Sequence, residues 1–254
     1  MGEGSGHCGG ASLTIWLYCI CRNEIRILPY FLRHYCVWVD KLIFYDDQSD
    51  DGTRELIQRI DRCELRNWPG RPGIVDHDFL HFAHEQWKEA RCKADWVIWV
   101  DCDEFLYHPD MLNLLKGYLD SGVQVPQIRG YTMFSRKFPT TPGQIYDEVR
   151  TGVIDDVWNK PSIFREIADW TVGRHGWDYT KSTPRGSPTV EIKLLHYRGL
   201  GMEYVRWRHA RNWERVPDDM RRQHMGTNTS PEYVGHHSVA WFEEVMARDL
   251  PLVL

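Results

Sequence analysis

The sequence predicts an α/β protein in a single domain, with a mostly parallel central sheet flanked by helices. Three observations predict it. Over the first hundred residues, short runs rich in aromatic and β-branched residues alternate with segments of helical periodicity, the pattern of βαβ units and right-handed crossovers. Polar, acidic turns close the main runs. The run Trp96-Val97-Ile98-Trp99-Val100 is apolar throughout, too short for a helix and without alternation, as a strand buried on both faces should be. With 254 residues and 42% hydrophobic content, the chain can bury one substantial core.

The elements follow in order. Met1 to Ala11 is Gly-rich and reads as disordered. Thr14 to Cys21 reads as the first strand. Asn23-Glu24 then opens a helix with Ile27, Leu28, Phe31, Leu32 and Tyr35 on one face. Leu42 to Tyr45 is a second strand, closed by the acidic turn Asp46 to Thr53, and Leu56, Ile57 and Ile60 mark the next helix. A weak third strand spans Glu64 to Trp68 and ends at the Pro/Gly loop 69–73. His77 to Lys93 is helical in pattern and leads into the Trp96 strand. Beyond Asp110 the sequence predicts a helix over Met111–Leu119, strands over Gln127–Phe134 and Glu191–Tyr197, and a helix over Glu203–Glu214. Pro139 to Pro188, rich in Pro, Gly, Thr and Asp, reads as long functional loops.

Composition excludes several classes. A net charge of −5 supplies no global basic field for nucleic acid or anionic membrane. No apolar run approaches the roughly 20 residues a membrane span needs, and no signal-peptide pattern opens the chain. Seven scattered cysteines make neither a disulfide framework nor a CxxC pair, so a reducing, cytoplasmic setting is expected. Twelve tryptophans exceed ordinary usage; some must be core, and the excess also suits a cleft in which sugar faces stack on rings.

The chemistry concentrates where the Trp96 strand ends, in Asp101-Cys102-Asp103-Glu104. If the chain stays extended there, alternation places Asp101 and Asp103 on one side, so that both face one ion. Paired anions at the edge of an apolar sheet repel, and Mg²⁺ or Mn²⁺ is the usual remedy. The carboxyl edge of a parallel sheet is also where open α/β proteins bind ligands. The competing reading is a solvated acidic turn.

Three strand ends, Cys21-Arg22-Asn23-Glu24, Asp46-Asp47-Gln48-Ser49-Asp50-Asp51-Gly52-Thr53 and Val100-Asp101-Cys102-Asp103-Glu104-Phe105, together resemble the GT-A glycosyltransferases. The likeness is to family 2 and the related family 92-like group, whose members read RNE, D-D/N-x-S-x-D-G-T and D-x-D-E-F in that order. Asn159-Lys160-Pro161-Ser162-Ile163-Phe164-Arg165 and Leu195-His196-Tyr197-Arg198 also look like segments of that group. The resemblance spans roughly Ile15 to Trp213.

The resemblance implies a GT-A (Rossmann-like) domain over 12–254, with a nucleotide-binding half over 12–110 and an acceptor-side half over 111–254. It implies a metal-dependent, inverting transfer of a sugar from a nucleotide-diphosphate donor, a UDP-sugar by family habit, to a hydroxyl of a glycan or glycoconjugate. Asp103 is then a metal ligand, Asp101 a contact to metal or ribose, and His196 the ligand that completes the shell. Arg22, Asn23, Glu24, Asp46, Asp47 and Arg91 fall to the nucleotide sugar, with Arg22 and Arg91 as phosphate contacts. Each has a plainer reading: Asp46 and Asp47 as helix caps, His196 as a hydrogen-bonded strand end, Arg22 and Arg91 as surface ion pairs. Glu104 has two readings, a member of the acidic site or the residue that holds the neighbouring loop. The Arg-rich last helix reads as a solvated face, with Arg206 free to help neutralise diphosphate. No clear copy of the family's base element is present; Asp156 comes first and Asp178 second as the carboxylate that deprotonates the acceptor. Two rivals stand beside this reading: a non-catalytic carbohydrate- or nucleotide-binding module of the same fold, and a haloacid-dehalogenase-like phosphatase, which also sets D-x-D after an apolar strand. A glycosidase is disfavoured, because its paired carboxylates stand apart across a sugar.

Overall fold

A computed structural model describes residues 13–70, 76–165, 169–170, 177–178, 185–222, 230–233 and 238–254. The expected disordered start, residues 1–11, lies outside them. The first half alternates as the periodicity predicts: β1 (Ile15–Cys21), α1 (Leu28–Tyr35), β2 (Lys41–Asp46), α2 (Thr53–Gln58), β3 (Cys63–Asn67), α3 (Asp76–Gln86) and β4 (Trp96–Trp99). A 3₁₀ turn, Trp87–Ala90, follows α3, and Cys92 then turns the chain with φ 61°, so the helix expected to reach Lys93 stops early. Then come β5 (Glu104–Tyr107), α4 (Met111–Asp120), β6 (Val125–Ser135), α5 (Ile145–Glu148), β7 (Gly152–Ile154), β8 (Ile163–Phe164), β9 (Asp169–Trp170), β10 (Trp177–Asp178), β11 (Gly186–Leu200), α6 (Met202–Glu214), α7 (Asp218–Arg222), α8 (Pro231–Tyr233) and α9 (Val239–Met246).

The main sheet has the order β3-β2-β1-β4-β8, parallel except for β8. A second sheet, β5-β11-β6-β7, is mixed, and β9 pairs antiparallel with β10. The mostly parallel central sheet expected from the sequence is thus present, and a mixed second sheet stands beside it. The segment 139–188 is also not all loop, since it contributes β7 to one sheet and β8 to the other. Two- and three-residue strands are too short to show a period of two.

Alternation along β1 divides the core. Ile15, Leu17, Cys19 and Cys21 pack with α1 on one face, while Tyr18 joins Trp87, Trp99 and Phe164 on the other. Trp87, Trp96 and Trp99 are fully buried, so part of the tryptophan excess is core; truncating one such ring to Ala typically costs about 3 to 5 kcal/mol. Tyr35 ties α1 to β5, donating to the Glu104 carbonyl at 3.0 Å and accepting from Leu106 N–H at 2.9 Å. Because β1, β2 and β4 run parallel, their carboxyl ends converge on one edge, and β11 carries His196 opposite Glu104 in register.

Candidate active site

The loops after β1 and β2 are knitted into one platform. Asn23 holds φ 54°, a conformation Asn tolerates better than most residues, and its N–H donates to Ser49 Oγ at 2.8 Å. Its side-chain amide exchanges two hydrogen bonds with Asp50, at 2.7 and 2.8 Å. Glu24 N–H donates to Thr53 Oγ1 at 2.8 Å, and Ile25 N–H to Asp51 Oδ2 at 3.1 Å. Asp46 works inside this platform: it accepts from Ser49 N–H at 3.0 Å and from Arg54 at 2.5 Å. Neither Asp46 nor Asp47 caps α2, whose N-cap is Gly52; Asp51 accepts from Thr53 N–H there.

Asp101 to Asp103 do not continue the strand. The chain turns, Glu104 N–H donating to the Asp101 carbonyl at 3.0 Å, so the extended alternation expected of the two aspartates is corrected to a turn. The buried Glu104 stabilises that turn. One oxygen accepts from Asp101 N–H at 3.0 Å and the other from Lys160 at 2.5 Å. Glu104 therefore holds a neighbouring loop, the second of its two readings.

Asp103 lies inside the edge, 3% exposed, with Oδ2 3.1 Å from His196 Nε2 and 2.6 Å from Arg208 Nη2. Burial alone raises a carboxyl pKa, yet Arg208 and His196 hold this one well below the usual range. The His196 ring packs against Trp158, centroids 4.0 Å apart, and His196 Nδ1 is buried without a hydrogen bond. Glu24 pairs with Arg211 at 2.8 Å; burial still pushes its pKa up, against the pull of Arg211 and Arg208. Asp47 pairs with Arg215 at 2.6 Å and stands 3.8 Å from Arg22, and its buried Oδ1 has no hydrogen-bond partner.

Arg208, Arg211 and Arg215 are the functional residues that sequence reasoning missed. Their intervals of three and four put them on one face of α6, each holding the carboxylate of a different strand end. The solvated-face reading of this helix is corrected accordingly, while Arg206, the one first credited with a role, points to solvent. Three arginines in helical register after three acidic motifs was the available signal.

One expected residue, Arg91, stands apart from this cluster. Arg91 lies just before β4, at the opposite edge of the sheet, over the Trp87 ring at 4.7 Å. Asp156 sits in a 3₁₀ turn two residues before Trp158, 77% exposed, accepting from Asn159 at 2.8 Å and 3.7 Å from Arg129. Its neighbour Asp155 is occupied, accepting from Thr132 at 2.8 Å and Trp158 at 3.0 Å. Asp178 lies on β10, and its side chain is outside the described residues. Among the described residues no group of three or more His, Cys, Asp and Glu side chains is set to hold a metal; Asp103 and His196 form a pair. The six described cysteines are free thiols, and no described helix is long and apolar enough to cross a membrane.

The edge thus presents acids and arginines in matched pairs, an arrangement suited to a ligand that carries negative charge together with a cation. No protein-family model matches the chain. A glycosyltransferase family 92 protein from Oryza sativa subsp. japonica is 31% identical over 111 residues, 39% of this chain and 18% of that protein. Another from Ricinus communis is 30% identical over 122 residues, 44% of this chain and 21% of that protein. Over that part of its length the chain is similar to these family 92 proteins, and it spans about a fifth of their length. Among solved structures, S. aureus TarS overlaps 89% of this chain and 43% of its own at 12% identity, TM-score 0.45. TarS 1-349 in complex with UDP-GlcNAc overlaps 89% and 72%, also at 12% identity and TM-score 0.45.

Proposed function

We propose that this chain is a glycosyltransferase that moves a sugar from a nucleoside-diphosphate donor, read as a UDP-sugar, to a hydroxyl of a glycan or glycoconjugate, with inversion. The observation that carries the reading is the convergence of Glu24, Asp47, Asp103, His196 and three arginines on the carboxyl edge of a parallel sheet. The similarity to family 92 proteins supports it.

The donor set fits Mn²⁺ or Mg²⁺. Asp103 offers a hard oxygen and His196 an imidazole nitrogen 3.1 Å away, and such ions commonly complete their shell with substrate phosphate oxygens and water. When bound, the ion offsets the charge that develops on the departing diphosphate. The chain's own residues do the rest. Asp47 offers Oδ1, which accepts no hydrogen bond, to nucleotide N–H or O–H donors, Asp101 is read as the ribose contact, and Arg22 takes phosphate. Asn23 and Asp46 hold the loops that position these groups. Exposure leaves Asp156 reachable by an acceptor hydroxyl, so it is the first candidate base, with Asp178 the second. Arg91 has no part in this site.

The test is a panel of nucleotide sugars with Mn²⁺, read by donor hydrolysis and transfer. Turnover is expected with at least one donor, abolished by chelator and lowered at least about 10²-fold in Asp103→Ala. Full activity in chelator, with the protein shown free of metal, overturns the metal assignment.

A further inference from the structure

We propose that Arg208 is the resident counter-ion of Asp103, and that a divalent cation competes with it for that carboxylate, coupling metal binding to capture of the donor diphosphate by α6. The inference rests on the nucleotide-sugar reading above.

Geometry makes the competition direct. Arg208 Nη2 lies 2.6 Å from Asp103 Oδ2, the oxygen that also faces His196 Nε2 at 3.1 Å. A Mg²⁺ or Mn²⁺ ion sits about 2.1 Å from a carboxylate oxygen, so ion and guanidinium on one oxygen are crowded like charges. A guanidinium stays charged throughout the pH range in which proteins fold. The charge of Arg208 therefore cannot vanish when an ion arrives; the side chain has to move.

Charge balance says where it goes. The acids Glu24, Asp47, Asp101 and Asp103 face the cations Arg22, Arg208, Arg211 and Arg215, four against four. A lone divalent ion unbalances that set by +2, and a lone nucleoside-diphosphate sugar by −2. Together they restore it. Burial and the neighbouring Arg22 and Arg211 already strain the charge of Arg215, lowering its pKa against the support of Asp47. Arg211 Nε and Arg215 Nε are buried without hydrogen-bond partners, donors whose natural acceptor is an entering oxyanion. A released guanidinium on the same helix face has the planar fork that phosphate oxygens match. Metal and nucleotide should then bind synergistically, with Arg208 as the coupling residue.

Mn²⁺ affinity of the intact chain, measured by electron paramagnetic resonance with and without UDP, tests this. Wild type should bind Mn²⁺ weakly alone and at least about tenfold tighter with UDP. Arg208→Gln should bind Mn²⁺ alone about tenfold tighter than wild type, bind UDP about tenfold more weakly at saturating Mn²⁺, and lose most of the synergy. Arg206→Gln, the same charge change at a solvent-facing position of α6, should leave all three unchanged. Should Arg208→Gln not fold, Arg208→Lys carries the test, with shifts in the same directions. Unchanged or weaker Mn²⁺ affinity in the folded Arg208 variant, in a chain that still binds UDP, overturns the competition. Failure of wild type to bind UDP under any condition instead overturns the nucleotide-sugar reading itself.

Discussion

Lys160 and Glu104 meet at 2.5 Å with both side chains almost wholly buried, and Glu104 also caps the turn that presents Asp101 and Asp103. Removing one partner of such a pair leaves an unpaired charge in the interior, typically at a cost of about 3 to 5 kcal/mol. Lys160→Met should therefore destabilise the fold by that order in denaturant titration. The double variant Lys160→Met/Glu104→Gln should recover more than half of the loss. Equal instability of both variants would show that Lys160 matters for packing alone. At this scale the sequence was legible where a side chain ends a strand: Glu24, Asp47, Asp103 and His196 all reach the edge that their positions implied. It was less legible where the partner is remote. Asp103 and Arg208 are far apart along the chain, and only the path of α6 brings them together. Asp46 shows the converse, a residue with a site-like position whose oxygens are taken by its own loop and Arg54.

The aim of α6 depends on how it leaves β11. Gly201 holds φ 85° and ψ 148°, a region essentially reserved for glycine, and a Cβ there would meet the Lys137 backbone at 3.0 Å. Gly201→Ala is expected to cost about 1 to 3 kcal/mol and to tilt the helix that carries Arg208, Arg211 and Arg215. Its thermal midpoint should fall, and UDP affinity should fall with it. Unchanged UDP affinity in a destabilised variant would separate the helix aim from the site. Gly52→Ala offers a contrast: φ is 98°, but the nearest side chain, Ile25, lies 3.7 Å away, so backbone strain alone opposes the change. The elements that periodicity located well are those long enough to repeat it: β1, α1, β6 and α6 each lie within a few residues of their expected bounds. The mixed second sheet was not foreseen because its order joins β5 to β11 across about eighty residues, a pairing that no local pattern encodes.

Across the whole molecule, burial sets the acid response. His34, enclosed between the Leu106 carbonyl and Tyr146, has its pKa lowered to about 4 by desolvation; His209 also falls to about 4, through burial and then the nearby Arg208 and Arg198. Between the ordinary histidine value near 6.5 and about 4, the unfolded chain takes up protons that the fold refuses. Stability should thus be flat in this respect above pH 7 and fall as pH drops from 6.5 towards 4, by up to about 1.4 kcal/mol per unit for each histidine. Denaturant titrations at stepped pH should show this slope, shallower in His34→Gln; an unchanged slope would mean that His34 does not govern it. The central claim, that the carboxyl edge of the main sheet is a nucleoside-diphosphate site built on a cation-dependent carboxylate, is tested most directly by calorimetric titration of UDP with and without Mn²⁺. The expected result is saturable one-to-one binding that strengthens with Mn²⁺, weakens by roughly 1 to 3 kcal/mol in Asp47→Ala and loses its Mn²⁺ dependence in Asp103→Asn. Absence of UDP binding to the folded wild-type chain in either condition, or binding that neither substitution alters, would contradict the account.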